Sequence, residues 1–239
     1  MLKLSIIIPA LNEAAGIEAA LAPLQAWRGP ECEVIVADGG SSDATAALAQ
    51  PLADRVVTTA RGRALQMNAG AQVATGAVLL FLHADTFLPE AAPTAILAAL
   101  GLENLLTPTV SSHDAISKRC WGRFDAAITG TSPMLGVIAW CMNRRSRLTG
   151  IATGDQALFM TRAAFDAAGG FPDQPLMEDI DMSRRLKRQS APACLAAKVT
   201  TSGRRWEQRG VWRTIWLMWR LRLAYYFGAS PEYLAARYR

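Results

Sequence analysis

The chain has 239 residues, of which 51% are hydrophobic and 19% charged, which suits one large α/β domain, or one domain with a C-terminal appendage, and excludes a disordered chain. Its net charge of +5 and isoelectric point near 9.3 are not spread evenly: lysines and arginines gather beyond Arg184. Such an excess points to an anionic partner, whether lipid, nucleotide or nucleic acid. Cys32, Cys120, Cys141 and Cys194 are widely spaced and form no CxxC or zinc pattern, so they read as reduced thiols of a cytosolic protein. Met1-Leu2-Lys3-Leu4 runs straight into a strand, without the apolar run and cleavage site of a signal peptide.

Leu4-Ser5-Ile6-Ile7-Ile8-Pro9 predicts a buried strand, continuous and β-branched. A helix of about 13–15 residues is expected next, with Asn12 as its N-cap and Trp27-Arg28-Gly29-Pro30 as its stop. Residues 33–38 predict a second strand that ends in Asp38. A glycine-rich turn follows, with Ser42 or Asp43 capping a helix over 46–52. Strand, helix and strand joined this closely make a right-handed βαβ unit. An acid in Asp38's position either binds a ribose or base edge or caps the turn. No GxGxxG fingerprint is present, because the glycines follow the second strand. After a short strand at 55–59, Arg61 and Arg63 bracket Gly62 at a helix start, which suits a diphosphate clamp or a solvated basic turn.

Val78-Leu79-Leu80-Phe81-Leu82 predicts a strand buried on both faces, followed by His83, Ala84 and Asp85. Extended geometry carried to the end places His83 and Asp85 on one face at the carboxyl edge, where open α/β sheets bind ligands. A carboxylate beside an imidazole there suits a divalent metal on a diphosphate; the competing reading is a turn capped by Asp85. A helix is expected over 92–100, then a loop over 101–119 that holds His113. A strand at 121–125, a helix at 135–147, a flexible polar turn at 150–156, a strand at 157–160 and a helix at 162–168 capped by Gly169-Gly170 follow. Glu178-Asp179-Ile180-Asp181 opens a helix over 182–189. Acids are favoured at a helix N-terminus, but capping needs one and not three. Residues 210–226 carry Trp212, Trp216, Trp219, Tyr225 and Tyr226 with Arg213, Arg220 and Arg222. Spanning a membrane would cost about 2.5–3.5 kcal/mol per central arginine. The stretch therefore reads as an interfacial helix on a membrane or a partner, or as one packed on the domain.

Four pieces taken in order now resemble a known family: residues 5–13, residues 34–43, Phe81-Leu82-His83-Ala84-Asp85-Thr86 and Met177-Glu178-Asp179-Ile180-Asp181. They resemble the family-2 glycosyltransferases of GT-A fold, over roughly residues 4–190. The implied fold is α/β: a mostly parallel central sheet flanked by helices, Rossmann-like in its nucleotide-binding half. The division expected is a GT-A domain over 1–202, with a variable acceptor-side segment at about 101–150, and a basic, tryptophan-rich helical tail over 203–239. The wording around 61–71, 83–86 and 149–156 resembles the bacterial subgroup described as radical-SAM/selenodomain-associated, or arsenosugar-biosynthesis, glycosyltransferases.

The resemblance implies roles for residues of this chain. Pro9 and Glu13 line the nucleotide pocket, and Asp38 binds the base or ribose side. Arg61 or Arg63 approaches the diphosphate. Asp85 matches the last acid of the family's DxD metal motif, whose first position is here His83, so the implied cofactor is Mn²⁺ or Mg²⁺ held by Asp85 and His83. Asp179 matches the catalytic base, with Glu178 beside it, and Gly154, Asp155 and Gln156 line the acceptor or sugar pocket. Gly203-Arg204-Arg205-Trp206 faintly resembles the QxxRW motif of processive synthases but lacks the glutamine, which speaks against polymer synthesis. The implied partners are a UDP- or GDP-linked sugar and a hydroxyl acceptor. Anionic membrane and a second copy are the partners the tail suggests, and nucleic acid falls away. The expected reaction is a single inverting displacement in the cytoplasm, at most peripheral to the inner membrane face. Two other readings stand beside it. One is a nucleotidyltransferase, which lacks its expected glycine-rich basic loop after the first strand. The other is a non-catalytic membrane scaffold, which has no need of Asp38, Asp85 and Asp179 together.

Overall fold

The computed structural model describes residues 3–102 and 119–238. Its strands are β1 (Leu4–Ala10), β2 (Cys32–Asp38), β3 (Arg55–Thr58), β4 (Val78–Phe81), β5 (Thr86–Phe87), β6 (Trp121–Thr129), β7 (Leu158–Thr161) and β8 (Ala193–Ser202). The helices are α1 (Ile17–Leu21), α2 (Thr45–Ala49), α3 (Arg63–Val73), α4 (Ala92–Ala99), α5 (Met134–Thr149), α6 (Arg162–Ala168), α7 (Glu178–Lys187), α8 (Arg204–Arg209), α9 (Val211–Tyr226) and α10 (Pro231–Tyr238).

One sheet runs β3-β2-β1-β4-β7-β6-β8-β5. The first four strands are mutually parallel, as is β6 with β8. The pairs β4·β7, β6·β7 and β5·β8 are antiparallel, so the sheet is parallel in its first half and mixed in its second. The continuous apolar runs of β1, β2 and β4 follow from burial on both faces. Ile6, Ile8, Val34, Val36 and Leu80 join one core cluster. Their alternating neighbours Ile7, Ile35, Leu79 and Phe81 join the other. The order of the parallel strands reverses at β1, which has β2 on one side and β4 on the other. That is a topological switch point, and it opens a crevice at the carboxyl ends of these two strands.

Several expectations are corrected. The helix after β1 is not a long one capped by Asn12: α1 has five residues and passes into a 3₁₀ turn over Ala22–Ala26 with Pro23 near its start. Residues 12–14 spend their amides elsewhere, on Ser41 Oγ at 2.9 Å, Thr45 Oγ1 at 2.8 Å and Asp43 Oδ2 at 3.2 Å. The loops after β1 and β2 are thereby zipped together. The extended geometry does not reach Asp85. β4 stops at Phe81, and the Thr86 amide turns back to the His83 carbonyl at 3.0 Å. The polar segment at 150–156 holds a 3₁₀ turn over Gly154–Gln156, closed by a capping box between Thr153 and Gln156. The helix after the acids begins earlier than expected, at Glu178, so three of its acids lie in the first turn. β8 has no counterpart among the expected strands. The loop expected over 101–119, with His113, falls largely outside the described residues.

Candidate active site

The crevice at the switch point collects charge from several segments. Gln66 of α3 fixes its floor: it is buried, and its amide donates to the Ala10 carbonyl at 2.6 Å and the Ala37 carbonyl at 3.0 Å, tying the ends of β1 and β2 together. Glu13 leaves the end of β1 and meets Arg204 of α8 at 3.9 Å. Burial, chiefly, pushes the Glu13 carboxyl up; Arg204 opposes this and the nearby charge of Asp85 adds to it. Asp85, partly exposed in the turn after β4, accepts among the described residues only a long 3.4 Å contact from the Thr86 hydroxyl.

His83 and Asp155 face each other, Nδ1 to Oδ1, at 3.3 Å. His83 Nε2 is buried without a partner among the described residues and abuts Gly154, where a Cβ would come within 2.2 Å of it. Burial works to raise the Asp155 carboxyl, but the bond from His83 and the charges of His83, Arg63 and Arg205 outweigh it and hold it below its ordinary value. Gly154 is the residue that lets the 3₁₀ turn approach the imidazole so closely.

Asp179 stands in the first turn of α7, with Oδ2 accepting the Gly154 amide at 3.0 Å. Burial and then the adjacent charge of Glu178 lift its carboxyl to about 6, against the pull of that amide and of Arg63. Glu178 is buried and paired with Arg63 Nη1 at 3.3 Å, which joins α3 to α7 across the crevice. Arg205 lies within electrostatic reach of Arg63, Asp155 and Asp85. It donates to the Tyr238 hydroxyl and stacks on that ring 5.2 Å from its centroid. Arg145 of α5, within reach of Asp179 and Asp155, has Nε and Nη2 buried with no partner among the described residues.

Among the described residues, three non-glycine residues adopt positive φ: Asn12 at 54°, Ala157 at 47° and Met177 at 68°. Each costs on the order of 1–3 kcal/mol and persists only where surroundings impose it. Asn12 precedes Glu13, Ala157 closes the Gly154 turn and Met177 precedes Glu178, so all three border this crevice.

The structure thus brings together Glu13, Arg63, His83, Asp85, Gly154, Asp155, Glu178 and Asp179. Pro9 lies nearby in β1, paired with Ala37. Asp38 is buried at the end of β2 with its carboxylate taken by the Gly40 amide at 3.1 Å, the Ser41 amide at 2.9 Å and the Ser41 hydroxyl. These bonds cap the turn that follows β2. Arg61 is exposed on the loop before α3, without a side-chain partner among the described residues. Gln156 is fully buried, its amide engaged with Thr153 and Asn143, both at 3.3 Å. Arg145, Arg204 and Arg205 were not among the expected site residues. The faint Gly203-Arg204-Arg205-Trp206 resemblance held the signal for two of them, whereas Arg145 sat unmarked in a basic helix end.

Among the described residues, no three histidines, cysteines or acids converge as a ready metal cage. The donors present nevertheless fit a cation that takes most of its ligands from a diphosphate and water: Asp85 is accessible and nearly unengaged. His83 is turned toward Asp155 instead.

A parallel nucleotide-type half sheet that passes into a mixed half, with acids and arginines gathered at the switch point, is the GT-A architecture of glycosyltransferases. The model of the family "Glycosyl transferase family 2" matches residues 5–125. The chain belongs to this family. A PGL/p-HBAD biosynthesis glycosyltransferase of Mycobacterium bovis is 40% identical over 102 residues, 40% of this chain and 40% of the relative. The Mycobacterium tuberculosis protein of that name matches equally. The match therefore spans about two fifths of these relatives' length. Among solved structures, Staphylococcus aureus TarS 1-349 superposes with a TM-score of 0.62 at 16% identity, covering 84% of this chain and 61% of that one. The Pyrobaculum calidifontis mannosyltransferase PcManGT, in complex with GDP-Man and Mn²⁺, gives 0.60 at 19% identity over 98% of this chain and 68% of its own. Glucosyl-3-phosphoglycerate synthase of M. tuberculosis, with Mn²⁺, UDP and glucosyl-3-phosphoglycerate, gives 0.55 at 18% identity over 83% and 70%. These likenesses establish the fold.

Proposed function

We propose that the protein is an inverting glycosyltransferase that moves a sugar from a UDP- or GDP-linked donor to a hydroxyl acceptor in the cytoplasm. The observation that carries this reading is Asp179, fixed by the Gly154 amide at 3.0 Å and beside the Glu178–Arg63 pair, with its carboxyl raised to about 6. A base of that strength is ionised at neutral pH yet still takes a proton readily. Asp179 accepts the acceptor's hydroxyl proton. The oxygen bonds the anomeric carbon from the face opposite the diphosphate, and the bond to the diphosphate breaks with its electron pair. Arg63 and Arg205 neutralise the charge that builds on that leaving group. Mn²⁺ or Mg²⁺, when bound by Asp85, supplies further neutralisation of the diphosphate. Glu13 and Pro9 border the nucleoside side, where Arg61 is free to close over the phosphates, and Asp155 and Gly154 border the sugar. Asp38, which also holds the Gly40–Ser41 turn in shape, binds the base or ribose side.

Residues 1–202 are the transferase domain in this proposal and residues 203–239 an appendage whose α8 lends Arg204 and Arg205 to the crevice. Within the family we place the chain in the radical-SAM/selenodomain-associated subgroup, on the wording of residues 61–71, 83–86 and 149–156.

The test is titration calorimetry of UDP and GDP, with and without Mn²⁺, on wild type and Asp85→Ala. Binding that needs the metal and disappears in the variant supports the assignment. Absence of binding by either nucleotide, with or without metal, removes the donor site from this crevice.

A further inference from the structure

Helix α9 is two-faced. Thr214 and Leu221 are buried, and Leu217, Met218, Ala224 and Tyr225 lie with them against Met177, Ile180 and Leu234. Arg184 of α7 stacks on the Tyr225 ring at 5.1 Å, so this side holds the helix to the domain in one orientation. The other side carries Trp212, Trp216, Trp219, Leu223 and Tyr226, with Phe227 just beyond, each between 59% and 77% exposed. Their spacing of four, three, four and three residues draws one straight stripe along the helix. At about 100° per residue the stripe lies diametrically opposite Leu221. Arg213 and Arg220 then fall about 80–100° to one side of it, and Arg222 about 80° to the other. Arg220 lies over the Trp216 ring at 4.2 Å, on the border of the stripe.

We propose that this stripe docks the protein on an anionic lipid bilayer, with α9 lying in the plane of the interface. Six large apolar side chains in one exposed line form a contiguous patch of the kind that marks an interaction surface. Tryptophan and tyrosine are the residues suited to the boundary between acyl chains and headgroups. The flanking arginines would sit at phosphate level while the rings point inward. The charge agrees: residues 203–239 hold eight arginines and two glutamates, a net +6 against +5 for the whole chain. α9 itself contains no acid. That also disfavours a second copy as the occupant, because pairing two stripes in either direction sets arginine flank against arginine flank with no carboxylate to answer. No helix among the described residues is long and apolar enough to cross a membrane, so the contact is peripheral.

The experiment is flotation with two kinds of vesicle: phosphatidylcholine alone, and phosphatidylcholine with about a third phosphatidylglycerol. Wild type should float with the anionic vesicles, and much less with the neutral ones or in high salt. Trp216→Ser/Trp219→Ser and Arg213→Gln/Arg222→Gln should each lower the bound fraction about tenfold. Wild-type circular dichroism and UDP affinity in both variants would show them to be folded. Asp179→Asn should float like wild type, which separates docking from the proposed transfer reaction. Failure of wild type to float, equal binding to neutral vesicles, or undiminished binding by the tryptophan variant would overturn the proposal. So would a wild-type dimer in sedimentation velocity that the tryptophan variant dissolves, since a second copy would then own the stripe.

Discussion

The Gly154 amide donates to Asp179 Oδ2 at 3.0 Å, and the same glycine abuts His83 Nε2 so closely that a methyl group there would lie 2.2 Å away. One residue without a side chain thus sets both the orientation of the proposed base and the seat of the imidazole. Asp179→Asn should cut kcat by roughly 10²–10⁴-fold, the usual worth of a general base, with UDP and GDP affinity kept. Gly154→Ala should also lower kcat, by pushing the turn off His83 and lengthening the bond to Asp179. The rate of wild type should rise with pH and reach its half-maximum near 6, where Asp179 ionises. The stability linked to this group has the opposite sign. A raised carboxyl favours the folded state below its unfolded value of 3.8, and that contribution is lost as pH climbs through about 6. A kcat unchanged in Asp179→Asn would end the assignment.

Neighbouring charges should move that acidic limb in opposite directions. Glu178 raises the Asp179 carboxyl, so Glu178→Gln should shift the limb to lower pH; the Arg63 charge it releases acts in the same sense. Arg145 is a cation within reach of Asp179, so Arg145→Gln should shift the limb to higher pH. Rate profiles of the two variants between pH 4.5 and 8, at saturating donor, make the check. Shifts of the same sign in both would mean that another group sets the limb.

Arg205 is held over the crevice by the last described residue of the chain. Tyr238 accepts from Arg205 and also stacks on it, and its carbonyl accepts from Arg209 at 2.8 Å. Arg205→Gln should raise donor KM about tenfold, the loss of one charge-assisted contact to phosphate. Tyr238→Ala should reproduce part of that effect by freeing the arginine, and Tyr238→Phe, which keeps the ring, should recover some of it. Steady-state kinetics in donor concentration would show the order. A donor KM untouched in Arg205→Gln would place the residue outside the donor site.

What the sequence displayed and what it hid divide along physical lines. β1, β2 and β4 were legible because strands buried on both faces need unbroken apolar runs, and Asp85 and Glu178-Asp179 because acids at such boundaries are conspicuous. The short α1 was not, since its missing turns depend on the amides of residues 12–14 finding Ser41, Asp43 and Thr45, about 30 residues on. β8 was hidden by small and polar residues, with Ala193, Ala196 and Ala197 in its first half, and is ordered by its pairing with β6, interrupted by a bulge opposite Phe124 and Asp125. Asp38 read as ligand or cap, and its bonds to Gly40 and Ser41, which show the cap, appear only once the turn is folded. Arg205 reaches the site through tertiary packing of the tail, which no local pattern records.

Far from the crevice, Glu33 organises the opposite end of the sheet. It is buried beside Ser5 and accepts the Ser5 hydroxyl at 2.6 Å, the Thr75 amide at 2.6 Å and the Thr75 hydroxyl at 2.8 Å, with Lys3 at 3.1 Å. Burial alone would raise this carboxyl, but those donors outweigh it and hold it at about 2, below the ordinary 4.5. A lowered carboxyl contributes stability that is complete above the unfolded value and is lost as pH falls toward the folded one. The window is therefore about pH 4.5 down to about 2. The shift corresponds to about 3–3.5 kcal/mol, at 1.36 kcal/mol per unit. Glu33→Gln keeps the shape but loses the charge, and turns an amide toward Ser5 and Thr75, both of which donate. Urea melts at pH 7 should show a loss of about 2–3 kcal/mol, the cost of breaking a buried charged network. Melts repeated down to pH 2.5 should show the gap between wild type and variant closing as Glu33 protonates. A gap that stays constant across that range would mean that the network's worth lies in shape and hydrogen bonding, with no part carried by the charge.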